Sequence, residues 1–141
     1  MSSESVVTVG GLPGQLRATL TIQGLDLEPD DISARLKCGP DESQRRGEPR
    51  KRGAPYKHGA WSITAVSDGQ QSASELVGLL LDRLPMDGDV WNDLRPYQVS
   101  LDLYVYLTKE NQDFVLSAEQ VGRLSKMGAA IWVDMYVGSE D

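Results

Sequence analysis

The chain has 141 residues, of which 40% are hydrophobic and 25% charged, and its 14 Lys and Arg against 21 Asp and Glu give a formal net charge of -7. This composition is typical of one globular domain and excludes an intrinsically disordered chain. No stretch reaches the roughly 18 consecutive apolar residues of a membrane-spanning helix, and residues 1–9 lack the positive start of a signal peptide, so we expect a cytoplasmic protein.

Residues 1–15 are interpreted as a flexible tail and linker. A short β-branched run, Val6–Val9, is followed by three glycines and a proline within residues 10–14, and these interrupt regular structure. An accessory strand over Val6–Val9 is the alternative. We therefore expect a single folded domain over residues 16–137, with residues 138–141 as a C-terminal tail.

The first strand and the first helix are predicted from local patterns. Apolar residues alternate with polar residues from Arg17 to Gln23, and this period of two is typical of a half-buried strand. The helix is predicted to begin at Pro29, where the two following acidic residues complement the positive end of the helix dipole. It should end near Lys37, because Gly39-Pro40 cannot continue a helix.

A long polar segment, residues 39–60, precedes the second predicted strand, Trp61–Ser67. The segment exceeds the usual connection of ~2–6 residues, and long ordered loops often carry function. The second helix is predicted from the capping box Ser72–Glu75 to its stop at Pro85. A short turn or helix is expected over residues 88–94.

The third strand has the clearest pattern of all. From Val99 to Thr108 every second residue is aliphatic, so one face of this strand is expected to be buried. A second capping box, Ser117 with Gln120, predicts the start of a third helix that Gly128 ends. Alternation from Ala130 to Val137 predicts the last strand.

The predicted order is therefore β-α-β-α-β-α-β. Each strand is apolar on one side only, whereas the strands of a doubly wound parallel sheet are apolar on both sides. We therefore predict an α+β two-layer sandwich, in which a four-stranded, mainly antiparallel or mixed sheet carries about three helices on one face.

The outward faces of the last two predicted strands form a first candidate surface. Their residues are Tyr104, Tyr106, Trp132 and Tyr136, with Asp102 and Asp134 in the same rows. Aromatic side chains with polar tips are enriched at interfaces, which favours a protein interface or a small-ligand platform. The alternative is that cross-strand aromatic pairs stabilise the sheet, at ~0.2–1 kcal/mol each.

Residues 44–59, here called the basic loop, form the second candidate surface. Its cations are Arg45, Arg46, Arg50, Lys51, Arg52 and Lys57, its one acid is Glu48, and the chain outside the loop has a formal charge of -12. Guanidinium groups match phosphates well, so a small anion is one candidate ligand. Nucleic acid is disfavoured, because Asp102 and Asp134 would repel it from the sheet. We expect the loop mainly to pair with the acidic body.

No catalytic or metal-binding constellation is visible in the sequence. His58 and Cys38 are the single residues of their types, too few for a thiolate or imidazole metal site. His58 has the chemistry of a general base, yet the sequence shows it no nucleophile and no orienting partner. We therefore expect no enzyme activity, no metal and no cofactor.

Several segments together resemble a bacterial family of unknown function, DUF 4279. They are Ala18–Gly24, Leu27–Ile32, Arg46–Pro49, Tyr56–Trp61, the helix start Leu116-Ser117 and the strand within residues 128–136. The resemblance covers most of residues 16–137 and implies a small stand-alone bacterial α+β domain. It also implies a structural or binding role for residues 44–61, and it supplies no catalytic residues.

The leading functional hypothesis is a non-enzymatic protein-binding module, similar to an immunity or adaptor protein. Its acidic body or aromatic face would dock a partner with a basic surface, or the face would be closed by homodimerisation. The alternative is a small anionic ligand gripped by Arg46, Arg50 and His58 of the basic loop. No role at a membrane is expected.

Overall fold

The computed structural model describes residues 15–67, 70–108 and 114–138. Within these residues the chain forms five strands and four helices. In chain order they are β1 (Gln15–Gly24), α1 (Pro29–Leu36), β2 (Glu42–Gln44), β3 (Gly59–Ser67), α2 (Ala73–Leu81), α3 (Gly88–Asp93), β4 (Gln98–Leu107), α4 (Ala118–Lys126) and β5 (Ala129–Val137).

The strands form one mixed sheet in the order β2-β3-β1-β4-β5. The central strand β1 pairs antiparallel with β3 on one side and with β4 on the other. β2 adds antiparallel to β3, whereas β5 lies parallel to β4. A parallel neighbour requires a crossover, and α4 supplies it.

The sheet has one covered face and one open face. The alternate residues Leu16, Ala18, Leu20 and Ile22 of β1 are at most 1% exposed, and the aliphatic residues of β4 up to Val105 are buried on the same face. Helices α1, α2 and α4 bring buried side chains into this core, and Trp91 of α3 joins it. The polar residues between these positions form the open face.

The helices begin where the sequence predicts them. Pro29 is the first residue of α1, and the flanking Leu27 and Ile32 are both buried, as expected for a hydrophobic staple. Both predicted capping boxes are present, Ser72 with Glu75 at α2 and Ser117 with Gln120 at α4. Lys37 ends α1 in a left-handed conformation, with φ of 54°.

The α+β class and the mixed sheet are confirmed, but the predicted counts of four strands and three helices are wrong within the described residues. The added strand is β2, which has three residues, too few to show an alternating pattern. The added helix is α3, at the position where a short turn or helix was expected. The accessory strand considered at Val6–Val9 lies outside the described residues.

None of the described helices combines the length and the apolar character needed to cross a membrane.

Candidate functional site

The strand register arranges the open face as rows that run across the sheet. One row holds Gln44, Ala60, Gln23 and Gln98, and the next holds Glu42, Ser62, Thr21, Ser100 and Ala130. The rows beyond them end on β5, at Trp132 beside Asp102 and at Asp134 beside Tyr104. Amides and hydroxyls therefore occupy the β2-β3-β1 side, and aromatic residues and acids occupy the β4-β5 side.

The predicted aromatic cluster forms because β4 and β5 are neighbours. The rings of Tyr104 and Tyr136 lie 5.0 Å apart between centroids, and the Arg17 guanidinium lies 4.9 Å from the Tyr104 ring centroid. Tyr106 pairs in register with Tyr136. Trp132 remains 65% exposed, so the part of the cluster on β5 is open to a partner.

Asp102 and Asp134 are diagonal neighbours on this face. Burial raises the pKa of Asp102, the Ser100 hydroxyl lowers it by donating a hydrogen bond of 3.4 Å, and the charge of Asp134 raises it further. Within the described residues no group of three or more His, Cys, Asp or Glu side chains is placed to hold a metal ion. The two carboxylates lie beside the aromatic residues of this face, Asp102 next to Trp132 and Asp134 next to Tyr104.

Strand β5 is exposed on both of its faces. Its aliphatic side carries Ile131 and Val133, each 41% exposed, together with Met135 and Val137 at 50% and 80%. Sequence alternation placed these residues on the core side, yet α4 leaves them largely uncovered. The outer edge of β5 pairs with no other described strand. An apolar strand with two open faces and an open edge is the feature that sequence analysis missed.

Ion pairs fasten one end of the basic loop to the start of α1. Arg45 donates to Glu28 and Asp30, at 2.9 Å in each case, and Arg46 pairs with Asp26 at 2.8 Å. These contacts are the expected pairing with the acidic body, but they involve only two of the six cations. Arg50, Lys51, Arg52 and Lys57 form no ion pair within the described part of the chain.

The basic loop also has its own backbone structure. The Gly47 N–H donates to the Tyr56 carbonyl at 2.8 Å, and the Tyr56 N–H donates to the Glu48 carbonyl at 3.0 Å. Gly47 adopts a φ of 89°, which favours glycine. A Glu48 carboxylate oxygen accepts from the Arg45 N–H. The Arg-Gly-Glu segment thus closes a narrow, hydrogen-bonded turn, and Arg50 lies over the Tyr56 ring with its guanidinium carbon 5.2 Å from the centroid.

Two adjoining cavities lie where the basic loop meets the open face. The sheet cavity has a volume of about 440 Å³ and is lined by polar residues that include Thr21, Gln23, Glu42 and Ser62. The loop cavity has a volume of about 470 Å³ and is lined by Arg50 and Lys57 among others. Gln44, Tyr56 and His58 line both cavities, so the two lie side by side, and together they are called the cleft below.

His58 is held in the cleft by two glutamines. Its Nε2 lies 3.1 Å from the Gln23 Oε1, and its backbone carbonyl accepts from the Gln44 Nε2 at 3.1 Å. The Gln23 Nε2 in turn donates to the Gln98 Oε1 at 3.0 Å. Sequence analysis singled out His58 but not the glutamines, because they come from three other strands whose order the sequence does not reveal.

The neighbours of His58 explain the His-Gly-Ala-Trp segment. Gly59 is buried against the Leu27 carbonyl, so a Cβ at this position would overlap that oxygen. Trp61 is completely buried, and its Nε1 donates to the Ser33 hydroxyl at 3.0 Å. One short segment therefore anchors α1 to the sheet and presents His58 to the cleft.

The chain belongs to the family described as Domain of unknown function (DUF4279), whose profile matches residues 14–138. No curated protein and no solved structure matches the chain.

Proposed function

We propose that this DUF4279 domain is a non-catalytic protein-binding module, that β5 is its docking strand, and that a second copy of the chain is its partner. The observation that supports this proposal is the exposure of β5 on both faces, beside a strand edge that no other described strand pairs with. Proteins normally protect edge strands with lysines, prolines, bulges or short length. β5 has nine residues, and Asp134 is its single charged residue.

The non-catalytic part of the proposal rests on the surroundings of His58. Its ring contacts the amide of Gln23, which is neither a nucleophile nor a charged orienting group, and its backbone carbonyl accepts from Gln44. A general base needs a reacting group within hydrogen-bond reach and a partner that tunes its basicity. The amide contacts favour a binding role for this histidine.

A second copy fits because β5 is self-complementary in sequence. If two β5 strands pair antiparallel over their full length, the two-fold axis passes through Val133. The opposing residues are then Ala129 with Val137, Ala130 with Tyr136, Ile131 with Met135 and Trp132 with Asp134. Small residues at one end thus oppose large residues at the other, and the exposed aliphatic rows of the two copies become one continuous strip.

Charge also selects this register. With Val133 at the centre, each Asp134 faces Trp132 of the other copy, whereas a two-fold axis through Asp134 would place the two carboxylates directly opposite each other. Like charges in opposing positions destabilise a strand pair. The formal charge of -7 on each chain opposes any self-association, so moderate salt should strengthen the dimer by screening that repulsion.

The size of the interface sets the affinity to be expected. Nine paired residues span about 30 Å, and a sheet layer is ~10 Å thick, so each copy contributes a footprint on the order of 300 Å². Interfaces of this small class are usually weak and transient. We therefore expect a dissociation constant in the micromolar range.

Sedimentation velocity from about 1 to 500 µM brackets such a dissociation constant and tests the proposal. The wild-type chain should shift from monomer to dimer, and Val133→Glu should remain monomeric because it places two new carboxylates at the two-fold axis. Val66→Glu is the matched control, since Val66 is 66% exposed on β3 and faces Arg17. A monomeric wild-type chain at all concentrations, or equal loss of the dimer in both variants, refutes the second copy as partner.

The register is tested by cysteine cross-linking in a Cys38→Ser background. Val133→Cys should form a dimer disulfide on mild oxidation, because residues at the two-fold axis are ~4.5–5.5 Å apart between Cα atoms. Ile131→Cys should not, because its two copies would be separated by ~14 Å along the strands. Efficient cross-linking at Ile131→Cys contradicts the proposed register.

Failure of the homodimer can be distinguished from failure of the binding module. If the wild-type chain is monomeric, immobilised wild-type and Val133→Glu chains are compared for proteins retained from a lysate of the source cells. A protein retained only by the chain with an intact β5 would show that β5 is a docking strand whose partner is that protein and not a second copy. A partner with a basic surface is the one expected from the acidic charge of the chain. Equal retention by both chains refutes β5 as a docking strand.

A further inference from the structure

The cleft between the basic loop and the open face has two chemically different ends. Arg50, Lys57 and His58 line the loop cavity. Thr21, Gln23, Gln44 and Ser62 line the sheet cavity with hydroxyl and amide groups. The first end suits an anionic group, and the second suits a ligand with several hydroxyls. Glu42 also lines the sheet cavity, so that end favours hydroxyl donors over a second anion.

Within the part of the chain that the structure describes, the basic loop contains cations that form ion pairs and cations that form none, and the second group points to a ligand. Arg45 and Arg46 form ion pairs with three acidic residues at the start of α1, and these ion pairs hold the loop beside the sheet. Arg50 and Lys57 line the cavity and have no ion-pair partner among the described residues. Arg50 is positioned by Tyr56. An anion in the loop cavity would supply the partner that these cations lack.

The hydrogen bonds of His58 define what it offers to a ligand. The Gln23 amide donates through its nitrogen to Gln98, so its oxygen accepts from the His58 Nε2. In the neutral ring the other nitrogen, Nδ1, then carries a lone pair and accepts a hydrogen bond. His58 lines both cavities and therefore offers an acceptor to a ligand hydroxyl between them.

We propose that this cleft binds a small phosphorylated sugar. The phosphoryl group contacts Arg50 and Lys57 in the loop cavity, and the sugar hydroxyls contact His58 and the amides of Gln23 and Gln44. Guanidinium and ammonium groups are the usual protein partners of phosphate. Ligand sites usually have volumes of ~300–1,000 Å³, and either cavity alone is within that range. The site is separate from β5, which lies at the opposite edge of the sheet.

The proposal is tested by thermal unfolding of the full chain with millimolar ribose 5-phosphate, glucose 6-phosphate or glycerol 3-phosphate. A ligand at concentration c that binds only the native state adds RT ln(1 + c/Kd) to the free energy of unfolding, so the unfolding temperature rises as its concentration exceeds Kd. At least one phosphorylated compound should raise it, glucose should not, and inorganic phosphate should have a smaller effect. If all three phosphorylated compounds leave the temperature unchanged, or inorganic phosphate matches the best of them, the proposal is overturned.

Two variants of the loop separate a site from general charge attraction. Arg50→Gln removes a cation that lines the cavity, and Arg52→Gln removes the same charge from an exposed residue of the same loop outside the two cavities' linings. Isothermal titration with the best ligand should show affinity reduced at least about tenfold by Arg50→Gln, as for loss of a charged hydrogen bond. Arg52→Gln should change it less than about threefold. Equal losses in both variants would refute a defined site.

A variant in the sheet cavity tests the sugar contacts. Gln44→Ala removes an amide that lines both cavities. It should weaken the phosphorylated sugar by about three- to tenfold, as for one neutral hydrogen bond, while the affinity for inorganic phosphate stays constant. Equal weakening of both ligands would show that the hydroxyls do not contact the sheet and would overturn the assignment of a sugar.

Discussion

Gly59→Ala tests the close approach of α1 to the sheet. A Cβ on Gly59 would overlap the carbonyl of Leu27, and relief requires the two segments to separate by about 1 Å in a close-packed interior. Neither segment moves freely, because Gly59 is paired with Gly24 of β1, and the Leu27 N–H donates to the Gly24 carbonyl at 3.3 Å. The added methyl group must therefore displace Leu27 from the core.

The expected magnitude follows from two contributions. Overpacking of a rigid site costs about 1–3 kcal/mol, and partial withdrawal of Leu27 forfeits part of the ~1.5–3 kcal/mol that its burial contributes. We expect Gly59→Ala to lower the free energy of unfolding by about 2–4 kcal/mol, measured by urea denaturation with the slope held common.

Gly122→Ala is the matched control and should have the opposite sign. Gly122 lies inside α4, where an added Cβ meets no atom within 4 Å. Replacement of a helical glycine by alanine should raise the free energy of unfolding by about 0.5–1 kcal/mol. A Gly59→Ala chain within about 0.5 kcal/mol of wild type would show that α1 and β3 can separate without cost, and the reasoning would be refuted.

Three further predictions concern charge and helix capping. Asp41→Asn should lower the free energy of unfolding at pH 7, because hydrogen bonds from the Arg83 guanidinium hold the pKa of Asp41 below its unfolded value. Urea titrations should show the difference in stability between variant and wild type vanishing as the pH falls through the folded pKa of Asp41. Asp102→Asn should raise the free energy of unfolding at pH 7, because burial and then Asp134 raise the pKa of Asp102. This gain should shrink as the pH falls through the raised folded pKa and vanish below the unfolded value of ~3.9; a variant less stable than wild type at pH 7 contradicts the assigned cause. Ser72→Ala should cost about 1 kcal/mol through loss of the α2 capping box, and calorimetry showing an unchanged unfolding temperature would contradict a capping role.

Features that depend on neighbouring residues were predictable from the sequence. Both capping boxes and the Pro29 start of α1 are local signals, and each begins a helix in the structure. The alternation in β1 and β4 correctly separates buried from open residues, because both strands have a covered face. The pleat of the backbone imposes this period of two, and the period does not depend on which strands are neighbours in the sheet.

Features that depend on distant residues were not predictable. β2 is a strand only because it pairs with β3, and three residues carry no pattern of their own. The alternation of β5 tells which side chains share a face but not whether a helix covers that face. His58 contacts Gln23, and Gln23 contacts Gln98, because β3, β1 and β4 are adjacent in this order. The polar cleft thus arises from topology, which the sequence of one strand does not encode.

The central position of β1 has a consequence for synthesis of the chain. β1 is the first described strand to leave the ribosome, yet its partner β4 is complete only roughly 80 residues later, about 4–16 s at ordinary translation rates. During that interval β1 can pair with β3 but keeps one edge unsatisfied. A nascent chain of this domain therefore exposes β1, which becomes the central strand of the finished sheet. A chaperone that binds β1, or slow codons before β4, would change the fraction of chains that fold correctly.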